Sequence, residues 1–528
     1  MSTNFAQHIS AKQTPQTQKI PGREAEMSFN NTGGAVFTLD PFNHILRFLI
    51  LGTEGGTYYA SEQKHTMQAF EGLLKCIKED PKRTVDLAVD VSVKGRAAKN
   101  DAALFTIACV MAFAEDPNDK FYARNSLDKV ARIGTHILHF AEFINQLKGW
   151  GTGTRKAFQQ WFLNKTPEDL AYQFVKYSQR DGWSMRDLLR KSHPFGTQEQ
   201  NSVFQYIAKG HSDQSLPAIL AATEAIKDAS LKEAVGLIRE YRLPREALPT
   251  ELLNHKEIWE AMLPSMGLTA IIRNLGKMTS IGIIKPFSAE SKFICAKLTN
   301  VDELRKARIH PLNLLIAFST YKQGRGFKGS LAWNPVGEIS AALEDAFTKS
   351  FTFVEPSGLN TLLALDVSGS MTSHKIAGTN ITAREASVVM AMVTARAEAN
   401  THFMAFSRGF IPLSITKNDS YYEATKKVLG LPFDTTDCSR PMIHALEQKW
   451  DVDMFQIYTD NETFAGRIAP SQALVEFRKK MNKPRAKLAV VGLTATRFTI
   501  ADPKDPYTLD FVGFDANAPA AMAEFAKM

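Results

Sequence analysis

Cysteine is scarce in this chain, and its scarcity narrows the possibilities early. Cys76, Cys109, Cys295 and Cys438 stand far apart with no CxxC pair among them, so neither a disulfide framework nor a cysteine zinc site is expected. A reducing, cytoplasmic setting is the corresponding expectation. No apolar stretch reaches the ~18 residues of a membrane span, and the amino terminus lacks the apolar core of a secretory signal, so no membrane partner is expected. Charge of one sign is not in large excess either: 63 Lys+Arg face 55 Asp+Glu, a net charge of +8. That surplus permits a nucleic-acid partner without demanding one. It is uneven, with 44 basic against 37 acidic residues before Ser357 and 19 against 18 from there on. The first part of the chain is therefore the part expected to meet phosphates. Apolar content is ample, 44% over 528 residues, which suits two or three cored domains better than one.

The most informative local pattern is LLALDVSGSM at 362–371. Leu362, Leu363, Ala364 and Leu365 suit a parallel strand covered on both faces. Asp366, Ser368 and Ser370 follow at a spacing of two. In a tight turn at the carboxyl end of a strand, that spacing aims three oxygen side chains into one crevice, where open α/β sheets bind ligands. Two hydroxyls and a carboxylate suit magnesium or a similar hard divalent cation, which takes six oxygens at about 2.0–2.1 Å and commonly keeps several waters. Because the donors neutralise only part of its charge, the ion would accept an anionic oxygen from a partner. Two enzymatic readings fit less well. An aspartyl phosphatase nucleophile is followed two residues later by a carboxylic acid, where this chain has Ser368. A serine hydrolase elbow needs GxSxG, and Ser368 has Asp366 before it.

A lone DxSxS is common in loops, but two further parts follow in order: Thr436 in DTTDCS, and Asp460 at the end of the apolar run MFQIYTD. Together they resemble the metal-ion-dependent adhesion site (MIDAS) of von Willebrand factor A domains. The resemblance implies that Ser368, Ser370 and Thr436 touch the ion directly while Asp366 and Asp460 hold its waters.

Along the chain, residues 1–28 are polar and aperiodic, with Pro15 and Pro21, and read as a mobile tail. From Pro41 to about Lys349 the signal is helix after helix, apolar residues recurring every three to four positions between polar breakers. A long series of paired helices suggests an α-solenoid, placed at 29–356. From Thr361 strands and helices alternate, which reads as a doubly wound parallel sheet over 357–528. The break lies near Val354-Glu355-Pro356-Ser357-Gly358. The fold class expected is thus multidomain, α plus α/β.

Within the helical part, TPEDLAYQFVKYSQRDGWSMRDLLRKSHP at 166–194 carries the densest positive charge. Thr166 as cap, Pro167 in the first turn and acids at 168 and 169 start a helix, expected to run to Asp181-Gly182. Ser184 caps a second, with Asp187 three residues on. On one continuous helix Lys176 and Arg180 would share a face, a like-charge pairing that costs a few tenths of a kcal/mol and is reversed if the pair clamps a phosphate. Arg186, Arg190, Lys191 and His193 add positive or protonatable groups nearby.

These motifs, with LGTEGGTYYASEQK at 51–64, TAIIRNLGKMT at 269–279, KARIHPLNLLIAFSTYK at 306–322 and YTDNETFAG at 458–466, resemble the Ro autoantigen family, a TROVE module followed by a von Willebrand A domain. The resemblance covers nearly the whole chain after the tail. It implies a HEAT-like α-solenoid closed into a ring and sealed by the carboxy-terminal domain. It further implies a non-catalytic RNA-binding protein that holds small noncoding Y RNA on the ring's outside and takes single-stranded ends of defective RNAs through the hole. Lys176, Arg180 and His193 match the family's Y RNA contacts. Partners would be misfolded or structured noncoding RNA and an exoribonuclease, not DNA. The competing readings are a metal-dependent protein-interaction scaffold and a metal-dependent hydrolase.

Three other features are set aside. GRGFKG at 324–329 spells GxGxxG but follows a helical pattern and opens no helix; Lys322, Arg325 and Lys328 make a basic loop. His136 and His139, on an apolar helix without carboxylate or cysteine support, read as core or edge histidines. Arg273 and Lys277 are weaker candidates for RNA contact, since RNLGK suits packing and capping equally.

Overall fold

The structure, a computed structural model, describes residues 13–53, 62–212, 215–326, 330–351, 356–376 and 379–528, without the side chains of Glu62 and His65. Residues 1–12 of the expected tail, 54–61 of the LGTEGGTYYASEQK motif, Lys328, and Val354 and Glu355 at the expected break lie outside the described residues. The chain divides into two compact units: Met1–Leu73, Arg96–Ala98 and Phe351–Met528 form unit 1, and Leu74–Gly95 with Lys99–Ser350 form unit 2.

Unit 1 begins with β1 (Met27–Phe29) and β2 (Ala35–Thr38), which pair antiparallel. Among its described residues, unit 2 contains one short antiparallel hairpin, β3 (Gln179–Arg180) and β4 (Trp183–Ser184). The remaining strands belong to unit 1: β5 (Thr361–Asp366), β6 (Thr401–Phe406), β7 (Phe410–Ile411), β8 (Met454–Thr459), β9 (Lys487–Gly492), β10 (Phe498–Thr499) and β11 (Thr508–Val512). The main sheet runs β11-β9-β8-β5-β6-β7, with every pair parallel except β6 with β7. Residues of β5, β8 and β9 are buried along their whole length, because helices on both faces remove both rows of side chains from water. The chain goes from β5 to β6 on one side and later returns to β8 on the other. That reversal opens a crevice at the carboxyl end of β5, where such sheets bind ligands.

Residues 13–28 differ from the expected tail. Gln16 is wholly buried. Its Nε2 donates to Asp437 Oδ1 (2.7 Å) and to the Ile468 carbonyl (3.0 Å), and its Oε1 accepts from Thr463 Oγ1 (2.6 Å) and Gly466 N (3.1 Å). All four polar valences of one amide are thus satisfied inside unit 1, and β2 also pairs with β10. The helix Pro41–Leu51, expected in the solenoid, likewise belongs to unit 1. Arg47 explains this: fully buried, it pairs with Asp510 Oδ1 at 2.5 Å and donates to Thr496 and to the Phe498 carbonyl. A guanidinium removed from water needs such acceptors; both terminal nitrogens have them, while Nε is buried without a hydrogen-bond partner. The short Arg96–Ala98 segment joins unit 1 in the same way, with Arg96 forked onto Asp515.

Unit 2 is helical from Pro81 to Ser350 among its described residues, apart from the hairpin and the connecting loops. Local chemistry starts these helices: Asp80 before Pro81, Asp116 before Pro117 and Thr166 before Pro167 each cap the first turn with a side-chain oxygen, and Thr197 and Ser230 form full capping boxes. Each helix packs mainly on those one to three places along the chain, the nearest-neighbour pattern of a solenoid. The two ends of the series also meet. Arg308 Nε donates to the Val93 carbonyl at 3.0 Å, and a Cβ on Gly95 would lie 3.4 Å from Arg308 Cβ.

Replacing Arg47 by Ala leaves the partly buried Asp510 without its cation, and loss of about 3 kcal/mol of unit 1 stability is expected. Urea denaturation checks this; a double variant that also replaces Asp510 by Asn is expected to lose less than Arg47→Ala alone.

Candidate metal centre and cationic hairpin

At the end of β5 the chain enters a turn held by its own side chains. Ser368 N–H donates to Asp366 Oδ1 (2.9 Å), and Ser368 Oγ lies 3.2 Å from Ser370 Oγ. Thr459, at the end of neighbouring β8, donates its hydroxyl to Asp366 Oδ2 at 2.6 Å, so both oxygens of this carboxylate are oriented. Asp460 follows, its Oδ1 accepting from Glu462 N at 3.0 Å. Thr436 arrives on a separate loop, its carbonyl accepting from the N–H groups of Phe464 and Ala465. Asp366, Ser368, Ser370, Thr436 and Asp460 are all buried.

Burial dominates the electrostatics of this crevice, where the buried Arg384 also feels the Asp366 charge. Burial first, and the Asp460 charge second, push the Asp366 carboxyl up to about 7. Burial raises Asp460 as well, and burial with the Asp460 charge pushes Glu462 up to about 8, despite hydrogen bonds from Asn31 and Thr32. Thr436 Oγ1 and Asp460 Oδ2 are buried with no hydrogen-bond partner. Orphaned hydroxyl and carboxylate oxygens beside a second buried carboxylate fit a hard cation in their chemistry. Among the described residues no three His, Cys, Asp or Glu side chains cluster as metal ligands.

The basic segment is arranged differently from a continuous helix. The helix Pro167–Lys176 ends at Lys176, and Gln179–Arg180 turns back through Asp181 and Gly182 onto β4. Both turn residues have positive φ, 49° and 78°, the geometry a two-residue hairpin turn demands and Asp-Gly supplies. Lys176 and Arg180 therefore do not share a helix face. Lys176, half-buried, donates to Tyr172 Oη at 3.0 Å and lies over the Tyr172 and Tyr177 rings at 5.2 and 5.5 Å. Burial works against its charge, and the Tyr172 hydroxyl with the Tyr177 and Glu246 charges more than offsets it. Arg180 is exposed, with Asp181 Oδ1 3.7 Å from its Nε.

Ser184 caps the helix Met185–Ser192 in a full capping box, as expected, and His193 ends it in the left-handed region at φ 51°. Arg186 donates to the Ile207 carbonyl (3.0 Å) and Arg190 to the Ala208 carbonyl (3.3 Å), while both remain exposed. Lys191 stands 5.2 Å from the Trp150 ring and 5.8 Å from Trp183, and Trp183 is anchored to Glu142 at 2.8 Å. Among the described residues, only Arg180 of these cations has a carboxylate within ion-pair distance. His136 is half-buried and held neutral, its pKa lowered to about 3 by desolvation and then by Arg132; His139 contacts Asp181 at the hairpin turn.

Two matching domains cover most of the chain. The TROVE domain matches residues 28–233 and 240–320, and the Ro60 vWA domain matches 360–526. The chain belongs to the Ro family. A Deinococcus radiodurans relative, "RNA-binding protein RO60", is 40% identical over 534 residues, covering 99% of both chains. A Caenorhabditis elegans relative of the same name is 33% identical over 592 residues, covering 97% of this chain and 91% of its own. The crystal structure of the Deinococcus radiodurans RO (RSR) protein superposes with a TM-score of 0.69 at 39% identity, over 92% of this chain and 99% of that one.

Sequence reasoning about this Ro family chain passed over several residues. Thr459 was detectable in principle, since β5 and β8 pair Leu365 with Tyr458, which puts Thr459 beside Asp366. Gln16, Asn31 and Thr32 gave no signal, because their partners lie more than 400 residues away in sequence. Millimolar Mg²⁺ is expected to raise the melting temperature of the parent protein, equivalent to about 2.7 kcal/mol at a hundredfold excess over Kd, and to leave Asp366→Ala and Thr436→Val unmoved. No shift in the parent, measured by scanning calorimetry, counts against the metal.

Proposed function

We propose that this protein binds small noncoding Y RNA through the phosphates that meet Lys176, Arg180, Arg186, Arg190, Lys191 and His193 on the outer face of a helical ring. Through the hole of that ring it takes single-stranded ends of misfolded RNAs, acting in noncoding RNA quality control or processing as part of a ribonucleoprotein. The observation that carries this reading is the run of cations from Lys176 to His193, which has a carboxylate within ion-pair distance only at Arg180 among the described residues. Cations that mostly stand exposed, with few carboxylates in ion-pair reach, are suited to phosphates, whose contacts fix position more than sequence. The meeting of Arg308 with Val93 supports closure of the helical series, and the family relatives are named RNA-binding proteins. An opening bounded by helices admits an unpaired strand more readily than a duplex, so a free end beside folded RNA is the preferred client.

The chain itself performs no catalysis in this account; it presents RNA to other proteins, an exoribonuclease among them, in the cytoplasm. DNA and membranes are not partners, and no helix among the described residues is long and apolar enough to cross a membrane. Magnesium held by Ser368, Ser370 and Thr436, with Asp366 and Asp460 behind its waters, would offer an open position to an anionic oxygen. The orphaned oxygens of Thr436 and Asp460 also favour a second reading, a protein-interaction scaffold in which the metal face is the whole function.

Filter binding of a Y RNA across several salt concentrations separates the two. The first reading predicts a steep salt dependence, and Lys176→Ala with Arg180→Ala lowers affinity and reduces the slope of log K against log salt by about 1 to 2. Unaltered affinity in the double variant removes this segment from the interface; absence of RNA binding by the parent leaves the scaffold reading. Cleavage of the RNA in Mg²⁺, abolished by Asp366→Ala, would instead mark a hydrolase.

A further inference from the structure

The segment between the helices Met185–Ser192 and Gln198–Lys209 holds an aromatic ring out in water on a rigid backbone. Phe195 is 84% exposed. Its neighbours leave the loop little freedom. Gln159 Nε2 donates to the carbonyls of Ser192 (2.6 Å) and His193 (3.4 Å), and the Asn201 amide clamps Gly196 in both directions, accepting from its N–H and donating to its carbonyl at 3.0 Å each. Gly196 permits a close approach: a Cβ there would lie 2.1 Å from Gln200 Oε1 and 2.8 Å from the Leu163 side chain, so both would have to shift. Thr197 and Gln200 then close a capping box that starts the next helix. A ring that forfeits its burial on so fixed a loop has no packing reason for its position.

Beside it lies a cavity of about 340 Å³ lined by Phe195, Gly196, Gln198, Asn201, Ser202 and Gln205, at the small end of the range for ligand sites. Positions 198, 201, 202 and 205 recur on one face of the helix; the Asn201 amide is committed to Gly196 and the Ser202 hydroxyl to the Glu199 carbonyl, so the polar groups of that face toward the cavity are the amides of Gln198 and Gln205, groups that both donate and accept. His193 and Arg190 precede the ring, and Lys209 stands in the last turn of the same helix. An apolar platform, an amide-lined wall and flanking cations together match an unpaired nucleotide: base on ring, base edge to amides, phosphates to cations. A peptide would use the ring but not the cations.

We infer that Phe195 is a stacking platform for an unpaired nucleobase of bound RNA, with the amide face at Gln198 and Gln205 meeting the base edge. This rests on the RNA-binding reading above and adds to it a contact for single-stranded RNA that is independent of phosphate charge. The test uses fluorescence anisotropy of the full chain with two labelled RNAs, a blunt hairpin and the same hairpin with a roughly ten-nucleotide unpaired tail, each at low and moderate salt. Phe195→Ala is expected to weaken binding of the tailed RNA about tenfold with its salt dependence unchanged, and to leave the blunt hairpin unaffected. Phe195→Trp is expected to restore the parent's affinity. Equal affinity of Phe195→Ala and parent for the tailed RNA overturns the stacking platform alone, as does an equal loss for both RNAs. A parent that binds neither RNA overturns the RNA-binding reading and this contact with it.

Discussion

A carboxylate carried out of water must be met by a cation, by hydrogen-bond donors or by a proton, and that requirement decides which segments of unit 1 fold together. Asp510 draws in Arg47 and with it the helix Pro41–Leu51; Asp515 draws in Arg96; Asp437 receives the Gln16 amide. Each of these partners lies hundreds of residues from the acid it meets. The amino-terminal residues are therefore structural members of the unit that carries the parallel sheet.

Against that pattern, the end of β5 is an exception. Asp366 and Asp460 are buried close enough for the Asp460 charge to raise Asp366, and oxygens of Thr436 and Asp460 have no partner. Oxygens of this kind fit a hard cation in their chemistry. Unit 2 shows the converse imbalance: between Lys176 and His193 cations outnumber the carboxylates that pair with them, and most of them stay at the surface. Unmatched charge is tolerable there because water solvates it, and it becomes useful when a polyanion arrives. The same kind of imbalance is buried in one unit and exposed in the other.

How much of this could be read from the chain depended on distance along the sequence. Asp366, Ser368 and Ser370 were legible because two-residue spacing in a turn fixes their proximity, and the helix start at Thr166 because cap and proline are adjacent. The end of that helix is ambiguous in sequence: Asp181-Gly182 predicts a helix stop, yet Asp-Gly also makes the two-residue hairpin turn that folds Arg180 back beside Trp183. Gln16 was illegible, since a lone glutamine in a polar stretch has no periodicity to betray a partner more than 400 residues away. The pairing of Thr459 with Asp366 required knowing which strands are neighbours, which strand patterns alone do not specify.

The account's central claim is that RNA engages the charge left unmatched in the helical unit. Ultraviolet cross-linking of the RNA that copurifies with the tagged protein, followed by mass spectrometry of the cross-linked peptides, tests it most directly. The account predicts that peptides from 176–195 carry nucleotide adducts. Adducts confined to peptides of unit 1, with none from this segment, would contradict it.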